Sequence, residues 1–255
     1  MIPGAHAIAP DAPFALAQEL DTAALAEAFA KKGRLHIPGI LESPAAARLH
    51  GALMAETDWA CATLVGGQGR DIPLREIDGW SQDRLAVFVS TADREAAKGF
   101  HFMFDSVRLT SLLKAGRPVA PVYRELCAFL SGPQFLSFIH ALTGDDRVRH
   151  ADAQATRFRP GHYLNVHDDD DNPGLGRLYA YVLNLTPGWR ADFGGLLTFN
   201  DPLGHVSEAY TPAFNALNIF RVPHLHAVTP IALFAPGGRL SITGWLRQDD
   251  PPVFP

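Results

Sequence analysis

Cysteine is nearly absent. Cys61 and Cys127 are too few to form a disulfide framework or a thiolate metal cluster. They are read as reduced thiols in a reducing compartment. No stretch approaches the roughly 18 uninterrupted apolar residues of a membrane span. The opening residues, MIPGAHAIAPDAP, lack the basic and apolar regions of a signal peptide. These absences predict a cytoplasmic chain with no membrane partner. There is no excess of positive charge either: 22 Lys and Arg stand against 27 Asp and Glu, for a net charge of -5. No broad basic surface therefore advertises nucleic acid. Internal repeats and low-complexity linkers are missing too, and the 20 prolines and 22 glycines are scattered as in a turn-rich fold. What is present is an ordinary globular balance, 47% hydrophobic and 19% charged, over 255 residues. That length suits a single domain with a sizeable core.

The two halves differ in texture. Residues 1–145 read as helical support with a few strands. Asp21 caps a helix through Ala24, Leu25, Ala28 and Phe29 to Lys32, stopped by Gly33. Arg34–Leu41 reads as a strand and its exit. Ser43 then caps a helix opened by Pro44 and carrying Leu49, Leu53 and Met54. Further helices are expected over Val122–Leu130 and, started by Ser131-Gly132-Pro133, through Leu142. Between them Gly66–Gln82, GGQGRDIPLREIDGWSQ, is polar and glycine-rich with no clear period. It predicts a loop or irregular hairpin and is the candidate lid. Residues 146–250 turn to β texture. Ala153–Arg159, Leu178–Leu185, Leu196–Asn200, Ala216–Val222, His226–Ile231 and Leu240–Leu246 are short apolar and β-branched runs between Pro, Gly, Asn and Asp clusters. The expected class is α+β, with a jelly roll or barrel in the second half buttressed by helices from the first.

Chemistry concentrates in YLNVHDDDD, Tyr163–Asp171. His167 and Asp169 stand two apart, so on a strand they share a face and can offer adjacent ligands to a divalent metal. The acidic run Asp168–Asp171 repels itself unless a cation or turn amides compensate. FRVPHLHAVTPI offers a second histidine, but His224 and His226 have equal parity and strand geometry does not choose between them. Two histidines and a carboxylate suit non-haem Fe(II) or zinc alike. PGGRLSITGWLR tips that balance. Arg239 and Ser241 alternate on one face of a β-run otherwise built from Leu240, Ile242 and Trp245. A guanidinium facing a sheet interior needs an anion, and its fork matches a carboxylate. A dicarboxylate cosubstrate meets that need.

HDD (His167–Asp169), the TPGW…FGG stretch (Thr186–Gly195), HAV (His226–Val228) and GRLSITGW (Gly238–Trp245), in this order, resemble the prolyl-hydroxylase-like branch of the Fe(II)/2-oxoglutarate dioxygenases. The resemblance covers roughly residues 150–247. It implies a double-stranded β-helix, the jelly-roll form of that superfamily. It implies Fe(II) on His167, Asp169 and His226, with 226 preferred because the distal histidine precedes x-Val. It implies 2-oxoglutarate gripped at its distal carboxylate by Arg239 and Ser241. Many relatives carry a tyrosine five residues before the Trp of this motif; here that position is Asn184, with Tyr181 and Tyr163 as alternatives. The activity implied is hydroxylation of an aliphatic C–H by O₂, with succinate and CO₂ released and ascorbate as a reductant. The expected substrate is a prolyl-type residue of a peptide or protein, or else a free amino acid. The rivals are a zinc-binding cupin-like hydrolase or isomerase and a non-catalytic jelly-roll binding module.

Overall fold

The computed structural model describes residues 11–169, 176–252 and 254. The opening stretch 1–10 and, from the acidic run, Asp170 and Asp171 lie outside them. In chain order the elements are α1 (Thr22–Lys32), β1 (Arg34–Pro38), α2 (Ser43–Ala55), β2 (Ala60–Val65), β3 (Gln68–Pro73), α3 (Leu74–Ile77), α4 (Gln82–Ala96), β4 (Phe102–Val107), α5 (Leu109–Lys114), α6 (Pro121–Leu130) and α7 (Pro133–Thr143). Then come β5 (His150–Ala151), β6 (Gln154–Phe158), β7 (Tyr163–His167), β8 (Arg177–Asn184), β9 (Leu197–Asn200), β10 (Val206–Tyr210), β11 (Ala216–Arg221), β12 (His226–Val228) and β13 (Arg239–Arg247).

Local signals explain the helix ends. The Asp21 carboxylate accepts from Ala24 N, and Gly33 ends α1 in the left-handed region at φ 66°. The expected Ser43 cap does not form, and α7 also opens without a side-chain cap. Ser43 is the first residue of α2, and the residue before it, Glu42, makes no side-chain cap bond. Gly132, not Ser131, occupies the cap of α7. In both cases Pro follows at the first turn and presets the backbone without a side-chain cap.

The strands form one antiparallel sheet in the order β1-β11-β8-β13-β6-β4-β7-β12-β9-β10, curled into a nearly closed double-stranded β-helix, with β2, β3 and β5 attached alongside. Residues 1–145 contribute more than helical support. β1 forms one edge of the sheet, and β4 sits between β6 and β7. β4 (FMFDSV) is mostly buried and lacks alternation, so its reading as a strand depends on neighbours remote in sequence.

Alternation along β8 and β13 sorts the two sides of the sheet. Tyr179, Tyr181, Leu183, Leu240, Ile242 and Leu246 pack outward, against a core shared with Leu49, Leu53, Leu126, Phe135 and Ile139 of the helices. Ala180 and Val182 point inward with Leu197, Phe199 and Phe220. The helices therefore seal one side, and the inward side is free to line a cavity.

Gly66–Gln82 is not an irregular loop. Gly66 and Gly67, at φ 58° and 76°, supply the two left-handed positions of a tight hairpin turn. β2 and β3 then pair along their whole length, from Val65 opposite Gln68 to Ala60 opposite Pro73. α3 follows, and Trp80 packs edge-on against Phe88 with the Arg84 guanidinium 4.1 Å from its ring centre.

The seam between the sheet's two ends is bridged by side chains. Glu208 on β10 accepts from Lys32 Nζ at 2.9 Å and from Arg34 Nε on β1 at 2.7 Å, while His36 on β1 lies 5.4 Å from the Tyr210 ring.

Candidate metal centre

His167, Asp169 and His226 come together inside the barrel, their ligand atoms all within 4.8 Å of one another. His167 Nε2 lies 3.6 Å from Asp169 Oδ1, and His226 Nε2 lies 3.7 Å from Asp169 Oδ2. Each histidine's other ring nitrogen faces a carbonyl two residues back. His167 Nδ1 is 2.9 Å from Asn165 O and His226 Nδ1 is 2.7 Å from His224 O. A carbonyl only accepts, so both Nδ1 atoms carry the proton and both Nε2 lone pairs face the centre. Burial, reinforced by His167, pushes His226 below the usual imidazole range and keeps it neutral. Two imidazoles and a carboxylate form a donor set that fits a divalent cation.

Strand counting reaches this arrangement by a route the structure modifies. His226 pairs with His167, but Val228 pairs with Leu164, so β7 holds one extra residue against β12. This bulge brings Leu164 and His167 to the same cavity, although simple alternation separates them. Asp169 lies beyond the end of β7, with φ at 66°. A left-handed backbone that Asp tolerates, rather than strand periodicity, returns its carboxylate to the histidines. The Trp245 indole Nε1 donates to Asp169 Oδ2 at 3.0 Å and fixes the carboxylate's orientation.

His224 does not join the centre. Its Nε2 lies 3.1 Å from Arg34 Nη1 at the seam, and its backbone N–H donates to Asp168 O at 3.2 Å.

The same cavity, of about 280 Å³, reaches Arg239. Arg239 is 1% exposed. Its Nη2 donates to Asn184 Oδ1 at 3.1 Å, its Nε has no partner, and no carboxylate pairs with it among the described residues. Burial lowers its pKa to about 10. A buried cation with a single neutral partner is costly unless an anion joins it, so the site fits a carboxylate ligand. The Phe158 ring centre lies 5.4 Å from the guanidinium carbon. Ser241 Oγ lies 2.8 Å from Thr156 Oγ1. The Thr156 hydroxyl also lies 3.3 Å from Ser241 O, so the Ser241 hydroxyl hydrogen is left for an anion when Thr156 donates to Ser241 Oγ.

Asn184 is engaged at both ends, since its Nδ2 also donates to Ala216 O at 3.3 Å. It therefore orients Arg239 and gives one of its two amide hydrogens to Ala216 O. Tyr181 lines the cavity that holds Arg239, but neither tyrosine hydroxyl is directed at the guanidinium. Tyr181 packs outward in the helix-side core, and its hydroxyl donates to Asp152 O at 2.8 Å. Tyr163 packs with Cys61, Ala92 and Met103, its hydroxyl 3.0 Å from His101 Nδ1.

Sequence reasoning missed Thr156, Trp245, Phe100, Phe102, Phe104, Arg108 and Arg177 around this cavity. Only Trp245 carried a usable signal, since it has the parity of Arg239 and Ser241. Nothing in Gly66–Gln82 lines the cavity. The β2–β3 pairing holds that segment to one side, and the rim is Phe100, 43% exposed and 5.3 Å from the His167 ring, together with Arg108.

The two glycines after Phe193 are required by close packing. A Cβ on Gly194 would lie 2.0 Å from Pro230 O, and one on Gly195 would lie 2.6 Å from Ile231 Cδ1 and 3.1 Å from Arg239 Cδ.

Residues 153–247 match the family model of the 2OG-Fe(II) oxygenase superfamily. Prolyl 3-hydroxylase OGFOD1 of Mus musculus is 30% identical over 118 residues, a match that spans 44% of this chain and only 21% of that protein's length. Among solved structures, a Pseudomonas putida prolyl-4-hydroxylase superposes with a TM-score of 0.58 at 17% identity, covering 90% of this chain and all of that one. A Trichoplax adhaerens prolyl hydroxylase in complex with a hypoxia inducible factor oxygen degradation domain peptide fragment gives 0.55 at 16% identity, covering 89% of each chain.

Proposed function

We propose that this chain, a member of the 2OG-Fe(II) oxygenase superfamily over residues 153–247, hydroxylates an aliphatic C–H of a prolyl-type residue in a peptide or protein. The balance is one substrate C–H, one 2-oxoglutarate and one O₂ consumed, and one C–OH, one succinate and one CO₂ formed. A single observation carries the reading. A buried arginine with no acid partner among the described residues shares a cavity with a His-Asp-His set that leaves coordination positions open.

His167, Asp169 and His226 would hold Fe(II), and Arg239 with Ser241 would hold the distal carboxylate of 2-oxoglutarate. Bound there, metal and cosubstrate together supply the oxidising chemistry that a C–H bond requires. The chain's own residues perform the remaining tasks. The two backbone carbonyls hold the Nδ1 protons, so both imidazoles present Nε2 inward. Trp245 holds the Asp169 carboxylate in place. Phe158, Val182, Leu197 and Phe220 keep the cavity wall apolar, which strengthens the Arg239–carboxylate pair. The prolyl 3-hydroxylase activity named for the mouse relative and the peptide bound to the Trichoplax enzyme support a peptide substrate over a free amino acid.

The test combines two measurements on the purified chain. Anaerobic addition of Fe(II) and 2-oxoglutarate should produce a metal-to-ligand charge-transfer absorbance, and admission of air should yield succinate. A chain that binds zinc, gives no such absorbance and forms no succinate belongs instead with the zinc-binding jelly rolls.

A further inference from the structure

Three cavities meet at one residue. Arg108, immediately after β4, lines the metal cavity, an outer groove of about 500 Å³, and a side pocket of about 160 Å³. The groove runs between the base of the β2–β3 hairpin and α5, with Asp58, Asp71, Arg75 and Arg117 along it. The side pocket adds Lys114, and Gln154 and Trp245 join its wall to that of the metal cavity. Arg108, Gln154 and Trp245 thus line both the metal cavity and the side pocket, and Arg108 and Ser111 line both the side pocket and the groove.

The charge there runs against that of the whole chain. Over a molecule of net charge -5, groove and side pocket collect five cations (Arg75, Arg108, Lys114, Arg117 and Arg247) against three carboxylates. Two of those carboxylates are already engaged. Asp71 forms a two-pronged pair with Arg108, and Asp152 accepts from Trp245 N at 2.7 Å and from Arg247 at 3.4 Å. Arg75, Lys114 and Arg117 are exposed and have no carboxylate partner among the described residues. Arg108 is half-exposed, so a substrate carboxylate can compete with Asp71 for its fork.

Resting on the peptide reading above, we propose that this groove takes an extended acidic segment of the substrate protein. A carboxylate side chain flanking the reactive residue is held by Arg108, Arg117 and Lys114 while that residue sits over the metal cavity. Phe100 at the rim, with Phe102 and Phe104 on the cavity wall, matches a pyrrolidine or other apolar ring rather than a charged group at the reacting position. Complementary charge across such a groove raises the rate of encounter and selects among sequences, and it weakens with salt.

The test uses three proline-centred peptides identical except at the flanking positions, which carry Glu, Gln or Lys. Binding is read by fluorescence anisotropy on the full chain loaded with Fe(II) and 2-oxoglutarate without air, and hydroxylation by mass spectrometry. The Glu peptide should bind about tenfold more tightly than the Gln peptide, with the gap narrowing as salt rises. The double charge reversal Lys114→Glu with Arg117→Glu should invert the order so that the Lys peptide binds best, a gain that a misfolded variant does not give. Equal binding of all three peptides, no binding of any, or an unchanged order in the double variant would overturn the proposal. So would tighter binding of oligo-dT than of the Glu peptide. Succinate formation by the wild-type chain without peptide reads the oxygenase assignment separately: if it persists while the peptides bind alike, the groove proposal fails alone.

Discussion

At the metal end of the cavity the protein completes its own hydrogen bonding, whereas at the Arg239 end it leaves a buried cation half-served. His167, Asp169 and His226 are each held by a second partner, so the ligand set is oriented before anything binds. Arg239 has one neutral amide and an Nε with no partner among the described residues. The first end is preorganised for geometry and the second for charge. Loss of a ligand should therefore abolish binding at the first end, and loss of the cation should weaken binding by the strength of one charge pair at the second.

The largest effect is expected at the metal end. His226→Ala should lower Fe(II) affinity by more than about a hundredfold, beyond the range seen for groups that only support a ligand. His224→Ala should keep affinity near wild type, because the carbonyl that holds His226 belongs to the backbone. Metal titration of both variants checks the contrast, and Fe(II) loss in the His224 variant would break it.

Next is Arg239→Ala, expected to weaken 2-oxoglutarate binding by about 2–5 kcal/mol, with Arg239→Lys recovering only part because it lacks the fork. Anaerobic titration of the charge-transfer absorbance measures both. Fe(II) affinity without cosubstrate should not move, which separates the two ends.

Trp245→Phe removes the bond to Asp169 Oδ2 and leaves all three ligands. A loss of about 10- to 100-fold in Fe(II) affinity is expected, and wild-type affinity would show that the carboxylate needs no outside hold.

A further effect, on stability rather than on binding, lies outside the cavity, at His162. Burial pushes it down to about 4 from an ordinary value of 6.5. The unfolded chain therefore takes up this proton first. The contribution to stability is complete above about pH 6.5 and falls by about 3 kcal/mol as pH drops to 4. Urea unfolding at pH 7 and pH 5 should show that slope, and His162→Phe should reduce it, leaving the share that His226 contributes.

The sequence made the second half legible because its strands are short, apolar and punctuated, and because Arg239 and Ser241 alternate as a β-run requires. α1 was legible to the residue, since Asp21 and Gly33 carry local signals. Three features were not. β4 is buried on both sides, so it shows no period, and its neighbours β6 and β7 lie some fifty residues further on. The β7 bulge shifts parity by one residue with no composition signal, so simple alternation would put Tyr163 on the side of His167, where it does not lie. The polar character of Gly66–Gln82 suggested a lid, yet it reflects an exposed hairpin whose Arg75 lines the outer groove.

The seam between β1 and β10 leaves two strand edges with unpaired backbone groups, and such edges invite pairing with foreign strands. Lys32, Arg34 and Glu208 place charge across both edges at once, so each edge guards the other against intrusion. Aggregation resistance in this protein should therefore depend on ionic strength. Salt that screens the Glu208 cluster would expose two adjacent templates together, and the chain would pass from soluble to self-associating without first losing its core.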